Sequence, residues 1–270
     1  MDNRAIGFFD SGLGGLTCIP NLFSQIPNEH VIYFGDTART PYGSKAVSTI
    51  KHYANQIADF LYTKDVKMMV IACNTITATC LYDLQKRFPD IPIVGIINPA
   101  AGKIARTCDE NNRIGVIATK VTIASDDYNR EIKKLNPNLH VFSKAAPAFV
   151  PLIEEGIIDN EIMDLTIKYY LDDFLSENKI DTLVLGCTHY PLLIEKIKAF
   201  LPEGITLFSQ GEYVAASLTD YLRRHPEMDI RLTKQGNCRF LTTESAAKFS
   251  DAASVFLNHP VEVEQIRLVE

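Results

Sequence analysis

The sequence has no long hydrophobic run, and its first residues do not resemble a leader segment. None of its apolar stretches approaches the ~18 residues that a membrane-spanning helix needs, so the sequence predicts no such helix. The residues Met1-Asp2-Asn3-Arg4 pass straight into a strand-like segment. They lack the basic start, apolar stretch and small-residue cleavage site of a signal peptide. We therefore expect a cytoplasmic protein with no membrane partner.

The sequence also lacks paired metal-binding cysteines. Its six cysteines, at positions 18, 73, 80, 108, 187 and 238, form no C-x-x-C pair and no ladder with histidines. Because these spacings do not fit a zinc site, we predict no metal site. An even number of cysteines is compatible with disulfides, but free thiols are usual in a cytosolic chain of this size, and we expect free thiols here.

An excess of basic residues is missing too. The formal net charge is -6, and the Lys and Arg residues are scattered, so we expect no nucleic-acid partner. Of the 270 residues, 46% are hydrophobic and 22% are charged. This composition is ordinary for a globular protein with one large domain or two small ones.

Apolar strand-like runs alternate with amphipathic helical segments from end to end. The predicted strands are 4–10, 31–35, 67–73, 91–96, 113–118, 139–143, 181–187, 205–208, 238–243 and 261–268. The predicted helices are 45–64, 76–87, 121–135, 151–178, 190–201, 211–224 and 245–257. This alternation is typical of mainly parallel sheets flanked by helices, and we predict an α/β fold.

The two halves of the sequence resemble each other weakly. One stretch in each half is similar, namely Ile6-Gly7-Phe8-Phe9-Asp10-Ser11 and Ile114-Gly115-Val116-Ile117-Ala118-Thr119. The distance along the sequence from Cys73 to Cys187 is nearly the same as the distance between these two stretches. We predict two similar lobes related by a pseudo-twofold axis. Lobe A comprises 1–97 plus 209–270, and lobe B comprises 98–208.

Two apolar runs end in a cysteine that is followed at once by polar residues. They are Val70-Ile71-Ala72-Cys73-Asn74-Thr75 and Leu183-Val184-Leu185-Gly186-Cys187-Thr188-His189. Each predicts a buried parallel strand that brings a thiol to its carboxyl end, where open α/β sheets bind ligands. A single buried cysteine is most often inert packing. Two thiols that face one pocket could instead move a proton across it from opposite sides.

A glycine-rich turn, Phe9-Asp10-Ser11-Gly12-Leu13-Gly14-Gly15-Leu16-Thr17, follows the first strand. Its spacing is neither that of a G-x-G-x-x-G loop nor that of a P-loop. One interpretation is a tight strand-to-helix turn capped by Asp10 or Ser11. The other is a site where backbone N–H groups approach an anion and Asp10 binds an ammonium group or steers a thiol.

A second polar turn, Pro41-Tyr42-Gly43-Ser44, follows the strand at 31–35. Its composition is that of a simple turn, but it also offers backbone donors and hydroxyls to a carboxylate. We expect the nearby Arg39 to pair with Asp36.

Further polar residues stand where strands end, and these are Asn74, Thr75, Thr119, Thr188 and His189. The neutral ones suit carboxylate recognition. His189 is either a surface histidine or a group that tunes the thiol of Cys187. Glu154 and Glu155 are expected to open the helix at 151–178, where carboxylates complement the helix dipole. One of them could instead orient His189.

In their order along the chain, four of these motifs resemble the glutamate racemases, which are cofactor-independent racemases that supply D-glutamate for bacterial peptidoglycan. The motifs are FDSGLGGLT at 9–17, DTARTPYG at 36–43, ACNTITA at 72–78 and LGCTHYPLL at 185–193. The resemblance extends over residues 5–268. One departure is Thr40, where the family often carries Cys, and this position lies outside the predicted catalytic pair.

The resemblance implies that Cys73 and Cys187 are the two acid/base residues, assisted by Asp10 and His189 respectively. Glu154 matches the family's glutamate near that histidine, although Glu155 leaves the choice open by one position. The implied substrate contacts, with those of the second turn, are Asp10, Ser11, Pro41, Tyr42, Gly43, Ser44, Asn74, Thr75, Thr119, Thr188 and His189.

The resemblance also implies a two-lobed fold with the site between the lobes, glutamate as the small-molecule partner, no cofactor and a homodimer. Cys73 would deprotonate D-glutamate and Cys187 would deprotonate L-glutamate. The residues alone leave alternatives open. These are an aspartate racemase or another paired-cysteine isomerase such as a hydantoin racemase or maleate isomerase, a non-catalytic carboxylate-binding protein, and a cysteine hydrolase with Cys187 as its only nucleophile.

Overall fold

A computed structural model describes residues 2–228, 236–257 and 259–268. Within these residues the strands form two sheets. The first contains β1 (Ile6–Asp10), β2 (Val31–Gly35), β3 (Met68–Ile71), β4 (Ile93–Gly95), β9 (Cys238–Thr242) and β10 (Val263–Gln265). The second contains β5 (Arg113–Ala118), β6 (His140–Ala145), β7 (Thr182–Gly186) and β8 (Thr206–Phe208).

All strand pairs in both described sheets are parallel, which confirms the predicted α/β fold. The first sheet has the order β10-β9-β2-β1-β3-β4 and the second has the order β6-β5-β7-β8. The order β2-β1-β3-β4 is therefore repeated by β6-β5-β7-β8. This repetition agrees with the similarity between the two halves of the sequence.

Helices cover the sheets, because parallel strands are connected by crossovers that lie on the sheet faces. They are α1 (Ile19–Gln25), α2 (Val47–Thr63), α3 (Asn74–Arg87), α4 (Ile97–Thr107), α5 (Lys120–Ala124), α6 (Asp127–Leu135), α7 (Phe149–Glu154), α8 (Glu161–Asn178), α9 (Ile194–Phe200), α10 (Gly211–Arg224) and α11 (Ala246–Leu257). Short 3₁₀ turns occupy Gly14–Cys18, Thr37–Arg39 and Tyr190–Leu193. No helix among the described residues combines the length and apolar character needed to cross a membrane.

The apolar strands are buried on both faces, which is why they read as continuous hydrophobic runs rather than as alternating patterns. In β1, Phe8 packs into one core and Phe9 into another, because successive side chains of a strand point to opposite faces. The core around Phe8 continues to Ile114 and Val184 of the second sheet. One hydrophobic cluster therefore joins the two halves of the molecule.

The single helix predicted over 151–178 is wrong, because the chain forms α7 and α8 separated by a turn. Gly156 in that turn has a φ of 71°, which interrupts the helix. Asn160 then caps α8 by accepting a hydrogen bond from the backbone N–H of Met163 at 3.1 Å. Glu154 consequently ends α7 instead of opening a long helix.

Two other helical predictions also need correction. The segment predicted as one helix over 121–135 divides into α5 and α6 at Asp126, which has a φ of 56°. The predicted helix at 190–201 begins as a 3₁₀ turn before α9. The predicted helical ranges include neither α1 nor α4.

Helix α4 begins at the Ile97-Asn98-Pro99 segment, where the sequence placed the lobe boundary. Proline is tolerated in the first helical turn, where its missing N–H removes no hydrogen bond. After β8 the chain returns to the first sheet and adds β9 and β10 beside β2. The lobe ranges 1–97 plus 209–270 and 98–208 stay a prediction, and residues 229–235 within them lie outside the described part.

Candidate active site

A small cavity of about 50 Å³ lies where the carboxyl ends of β1, β3, β5 and β7 come together. It is lined by Ser11, Pro41, Tyr42, Gly43, Ser44, Cys73, Asn74, Thr75, Thr119, Pro147, Val150, Pro151, Cys187, Thr188 and His189. The sequence predicts all of these as site residues except Pro147, Val150 and Pro151. The other two predicted residues, Asp10 and Glu154, do not line the cavity but contact residues that do.

Cys73 and Cys187 occupy equivalent places in the two sheets. Ile6 of β1 pairs with Met68 of β3, and Ile114 of β5 pairs with Thr182 of β7. Each cysteine lies five residues after that partner, beyond the end of its strand. Both side chains are nearly buried, with 5% and 6% of their surface exposed. The fold therefore presents one thiol from each half to the same cavity.

The surroundings of Cys73 favour its neutral form. Its thiol donates a hydrogen bond to Oγ of Ser11 at 3.5 Å. Burial, and next the charge of Asp10, raise the pKa of Cys73 well above its ordinary value, whereas Ser11 and the backbone N–H of Ile76 act in the opposite direction. Helix α3 starts immediately after Cys73, so its N-terminus is in place to stabilise an anion there.

Asp10 is fully buried at the end of β1. Its Oδ2 accepts hydrogen bonds from the backbone N–H groups of Gly12 and Gly15, both at 3.1 Å. Its Oδ1 accepts a longer one, at 3.4 Å, from the hydroxyl of Thr188 in the second half. Burial raises the pKa of Asp10 despite the opposing effects of His189 and the backbone donors. Within the described hydrogen bonds, Ser11 rather than Asp10 is the direct partner of Cys73.

Cys187 belongs to a chain of three polar side chains. Its Sγ lies 3.9 Å from Nδ1 of His189, whose Nε2 lies 3.0 Å from Oε1 of Glu154. Burial lowers the pKa of His189, but its interactions with Cys187 and Glu154 outweigh burial and raise the pKa to about 10. These interactions favour the positively charged form of His189 beside Cys187.

The sequence left open whether Glu154 or Glu155 faces His189, and the hydrogen bond identifies Glu154. Oε1 of Glu154 also accepts a hydrogen bond from the hydroxyl of Thr40 at 3.1 Å. Thr40 follows β2 of the first sheet, so this contact joins the two halves of the chain.

The side chain of Asn74 is engaged away from the cavity. It exchanges two hydrogen bonds with the amide of Gln210, at 2.7 and 2.8 Å, and its Oδ1 accepts a third from the Tyr128 hydroxyl at 2.8 Å. All three side chains are buried. Asn74 borders the cavity, but its amide is committed to holding the start of α3.

Three threonine hydroxyls meet at the junction of the two halves. Oγ1 of Thr75 lies 3.0 Å from Oγ1 of Thr119 and 3.3 Å from Oγ1 of Thr122, and the latter two are 3.0 Å apart. Thr119 also caps α5 by accepting from the backbone N–H of Thr122. Hydroxyls both donate and accept, so this cluster can turn toward a bound carboxylate.

The hydroxyl of Tyr42 points away from the cavity and donates to Oδ2 of Asp36. Burial, and next the charge of Asp36, raise the pKa of Tyr42. Arg39 donates to the same carboxylate from Nε at 2.7 Å, as expected from the sequence. Tyr42 and Arg39 therefore support the turn at 41–44, all four residues of which border the cavity.

Two glycines are required by close approach. A methyl group on Gly14 would lie 2.5 Å from both Nδ1 of His189 and Oγ1 of Thr188. A methyl group on Gly43 would lie 2.5 Å from Cβ of Thr119. Such distances are far below van der Waals contact, so both positions need glycine for the two halves to meet around the cavity.

Sequence reasoning missed two groups of residues. Pro147, Val150 and Pro151 form an apolar wall from the segment around the start of α7. Gln210 and Tyr128 hold Asn74, and Thr122 completes the hydroxyl cluster. The Pro-x-x-Val-Pro pattern directly after a strand was the available signal for the wall. The contacts of Gln210 and Tyr128 have no signal in the sequence, because they join distant segments.

The six cysteines are all free thiols, as predicted. No group of three or more His, Cys, Asp or Glu side chains within the described ranges is arranged to hold a metal ion. The chemistry that the lining residues offer is acid/base chemistry by two thiols, with neutral hydroxyl and backbone donors around them.

Comparisons with known proteins identify the family that this chain resembles. A sequence profile of the Asp/Glu/Hydantoin racemase family matches residues 16–226. The glutamate racemase of Geobacter metallireducens is 43% identical over 257 residues, which cover 95% of this chain and 94% of that protein. The glutamate racemase of Streptococcus gordonii is 41% identical over 99% of this chain and 100% of its own length. The crystal structure of the Francisella tularensis glutamate racemase with D-glutamate is 39% identical, with a TM-score of 0.91 and 99% of both chains covered.

Proposed function

The chain belongs to the Asp/Glu/Hydantoin racemase family, and from that premise we propose that it interconverts L-glutamate and D-glutamate by cofactor-independent proton transfer. The observation that carries this proposal is that Cys73 and Cys187, from equivalent positions of two sheets, line one small cavity. Racemisation removes the α-proton from one face of the substrate and returns a proton to the other. Two opposed thiols suit this task better than one, which would have to move around the substrate.

In the direction from L- to D-glutamate, the thiolate of Cys187 removes the α-proton and becomes a thiol. The electron pair stays on the α-carbon as a carbanion, and the thiol of Cys73 gives its proton to the opposite face and becomes a thiolate. The reverse direction exchanges the two roles. After one turnover Cys187 is the thiol and Cys73 is the thiolate, which is the reverse of the starting state. Proton exchange with solvent, or a turnover in the opposite direction, restores the starting state.

The charges around the two sulfurs support this assignment. The His189 ring, whose interactions favour its charged form, faces Cys187, and an imidazolium stabilises an adjacent thiolate. Burial and the charge of Asp10 favour the neutral thiol at Cys73. With Cys187 as the base and Cys73 as the acid, the protein is in the protonation state that reacts with L-glutamate. When D-glutamate binds, we propose that its ammonium group offsets the charge of Asp10 and so favours the thiolate of Cys73.

The carbanion needs donors directed at the α-carboxylate. We propose that Ser11, Thr75, Thr119, Thr188 and the backbone of the 41–44 turn supply them. Proton transfer by positioned groups typically contributes on the order of 10²–10⁴-fold, so preorganised donors and the exclusion of water must supply the rest of the acceleration. We further propose that the D-glutamate product is used for peptidoglycan, and that the protein acts in the cytoplasm as a homodimer.

The test is a circular-dichroism assay of L-glutamate and D-glutamate with the purified protein and no added cofactor. We expect loss of optical activity from either enantiomer, and no activity after Cys73→Ser or Cys187→Ser. Cys80→Ser is the matched control, because Cys80 is a buried thiol outside the lining of the cavity. Racemisation of aspartate in preference to glutamate would reassign the substrate. Binding of glutamate without exchange of its α-hydrogen would indicate a non-catalytic protein.

A further inference from the structure

We propose that Thr40 is a positioning residue for the Cys187 half of the site. Its hydroxyl, which comes from the first half of the chain, holds Glu154 against His189 and thereby keeps the imidazole directed at Cys187. The catalytic meaning of this inference rests on the proposed function. Its structural content can be tested without any activity.

Both partners of Glu154 use the same oxygen atom. Oε1 accepts from the Thr40 hydroxyl at 3.1 Å and lies 3.0 Å from Nε2 of His189. Thr40 directly follows the 3₁₀ turn Thr37–Arg39, and Glu154 is the last residue of α7. The polar chain from Cys187 through His189 to Glu154 is thus continued by a residue of the other half.

Glu154 gains a second partner, beside the His189 ring, from the Thr40 hydroxyl. It stands at the C-terminal end of α7, where the helix dipole is negative. Its side chain is 22% exposed, whereas that of His189 is 4% exposed. A carboxylate with this access to water can rotate toward solvent, and the Thr40 hydroxyl opposes that rotation.

The adjacent backbone leaves room for this contact. A methyl group on Gly12 would lie 3.1 Å from Oγ1 of Thr40 and 3.7 Å from Oε1 of Glu154. The glycine turn after β1 therefore lies close to this hydrogen bond, which is exposed to solvent. Three separate segments of the chain meet at this point.

Three acidic groups face the ring of His189. Cys187 and Glu154 approach its two nitrogens, and the charge of Asp10 interacts with it from the end of β1. If Glu154 turns toward water, the imidazolium loses one of its two close partners. His189 then releases its proton at a lower pH. Cys73 is spared, because its direct contact is with Ser11.

The experiment compares Thr40→Val, Thr40→Cys and Thr40→Ser by NMR titration of the His189 ring in the full-length protein. Valine has the shape of threonine but no donor, cysteine is a weak donor, and serine keeps the hydroxyl. We expect valine to lower the pKa of His189 by roughly 0.5–1 unit, cysteine by less, and serine to leave it unchanged. A packing role predicts the reverse order, since valine fills the same space and serine does not.

A second arm repeats Thr40→Val in a Glu154→Gln background. Because Thr40 is proposed to act only through Glu154, Thr40→Val should cause no further shift of the His189 pKa in that background. An unchanged pKa in Thr40→Val, or an additive shift in the double variant, would overturn the inference. In the racemase assay we expect Thr40→Val to lower turnover roughly 3- to 10-fold and Thr40→Ser to retain it. If the parent protein does not racemise glutamate, the proposed function fails, and the titration still decides the role of Thr40.

Discussion

Oε1 of Glu154 lies 3.0 Å from Nε2 of His189, whereas the adjacent Glu155 is exposed and its side chain forms no hydrogen bond or ion pair with the described residues. The two carboxylates are neighbours in sequence, yet only one belongs to the site. This pair therefore offers a variant and its control at consecutive positions.

Glu154→Gln should lower turnover on the order of 10²-fold, because a neutral amide holds the His189 imidazolium less well. The high-pH limb of the pH–rate profile should move to lower pH, since Glu154 helps to raise the pKa of His189 to about 10. Steady-state kinetics across pH 7–10.5 would measure both effects. Glu155→Gln should behave like the parent protein, and an equal loss in both variants would remove Glu154 from the site.

The single-cysteine variants should each retain exchange on one side of the substrate. In deuterated water, Cys73→Ser should exchange the α-hydrogen of L-glutamate through Cys187 but form no D-glutamate. Cys187→Ser should exchange only D-glutamate. NMR of the recovered amino acid would measure the incorporation. Full racemisation by either variant would contradict the two-base mechanism.

Gly14→Ala should disable the site while leaving the cores in place. Its new methyl group would clash with His189 and Thr188 at 2.5 Å, and moving the ring misaligns it with Cys187. We expect turnover to fall by about 100-fold or more, with cooperative unfolding retained in a thermal melt. Gly102→Ala is the control, because its methyl group would meet only the flexible end of Arg106, at 3.3 Å. Since Gly102 lies within α4, alanine there should stabilise the protein by up to about 1 kcal/mol.

The contribution of His189 to stability should depend on pH in a defined direction. Its pKa is raised from 6.5 to about 10 on folding, so the folded state binds this proton more tightly than the unfolded state. The stabilisation is complete below pH 6.5 and is lost as the pH rises toward about 10. Urea unfolding of the parent protein and His189→Gln from pH 6 to 10.5 should show their free-energy difference changing across this window. A difference that stays constant would contradict the raised pKa.

Gln210 should contribute to stability through Asn74. Gln210→Leu removes both hydrogen bonds of the amide pair and leaves the buried Asn74 amide poorly satisfied, at a cost of about 1–3 kcal/mol. Tyr128→Phe removes one hydrogen bond to the same Asn74 oxygen and should cost less, roughly 0.5–1.5 kcal/mol. Urea denaturation would measure both. A larger loss from Tyr128→Phe would show that the ring makes contacts beyond its hydroxyl.

Most of the strand framework could be predicted from the sequence, because buried parallel strands form short apolar runs with polar residues after them. The strands at 31–35 and 113–118 were predicted with the observed ends. The helix breaks at Gly156 and Asp126 were not, because a single residue with positive φ interrupts a continuous apolar pattern. Helix α4 was missed because Pro99 and Gly102 resemble helix breakers when read without their neighbours.

Some residues of the candidate site could likewise be predicted from the sequence, and others could not. Residues that directly follow strands, such as Cys73 and Cys187, could be predicted, since parallel strands bring their carboxyl ends to one edge. The choice between Glu154 and Glu155 could not, because it depends on the turn at Gly156 and on the end of α7. The hydrogen bond from Thr40 to Glu154 joins positions far apart in the chain, and only the folded structure reveals it.

The repeated strand order places two similar thiols in different surroundings. Asp10 lies near Cys73, and His189 lies near Cys187. Mirror-image substrates have the same free energy in water, so no such difference can move their ratio at equilibrium away from unity. For an enzyme that interconverts them, the Haldane relationship then requires equal kcat/KM in the two directions. The different surroundings of the two thiols can therefore change kcat and KM only by the same factor. The enantiomer with the higher kcat must also have the higher KM.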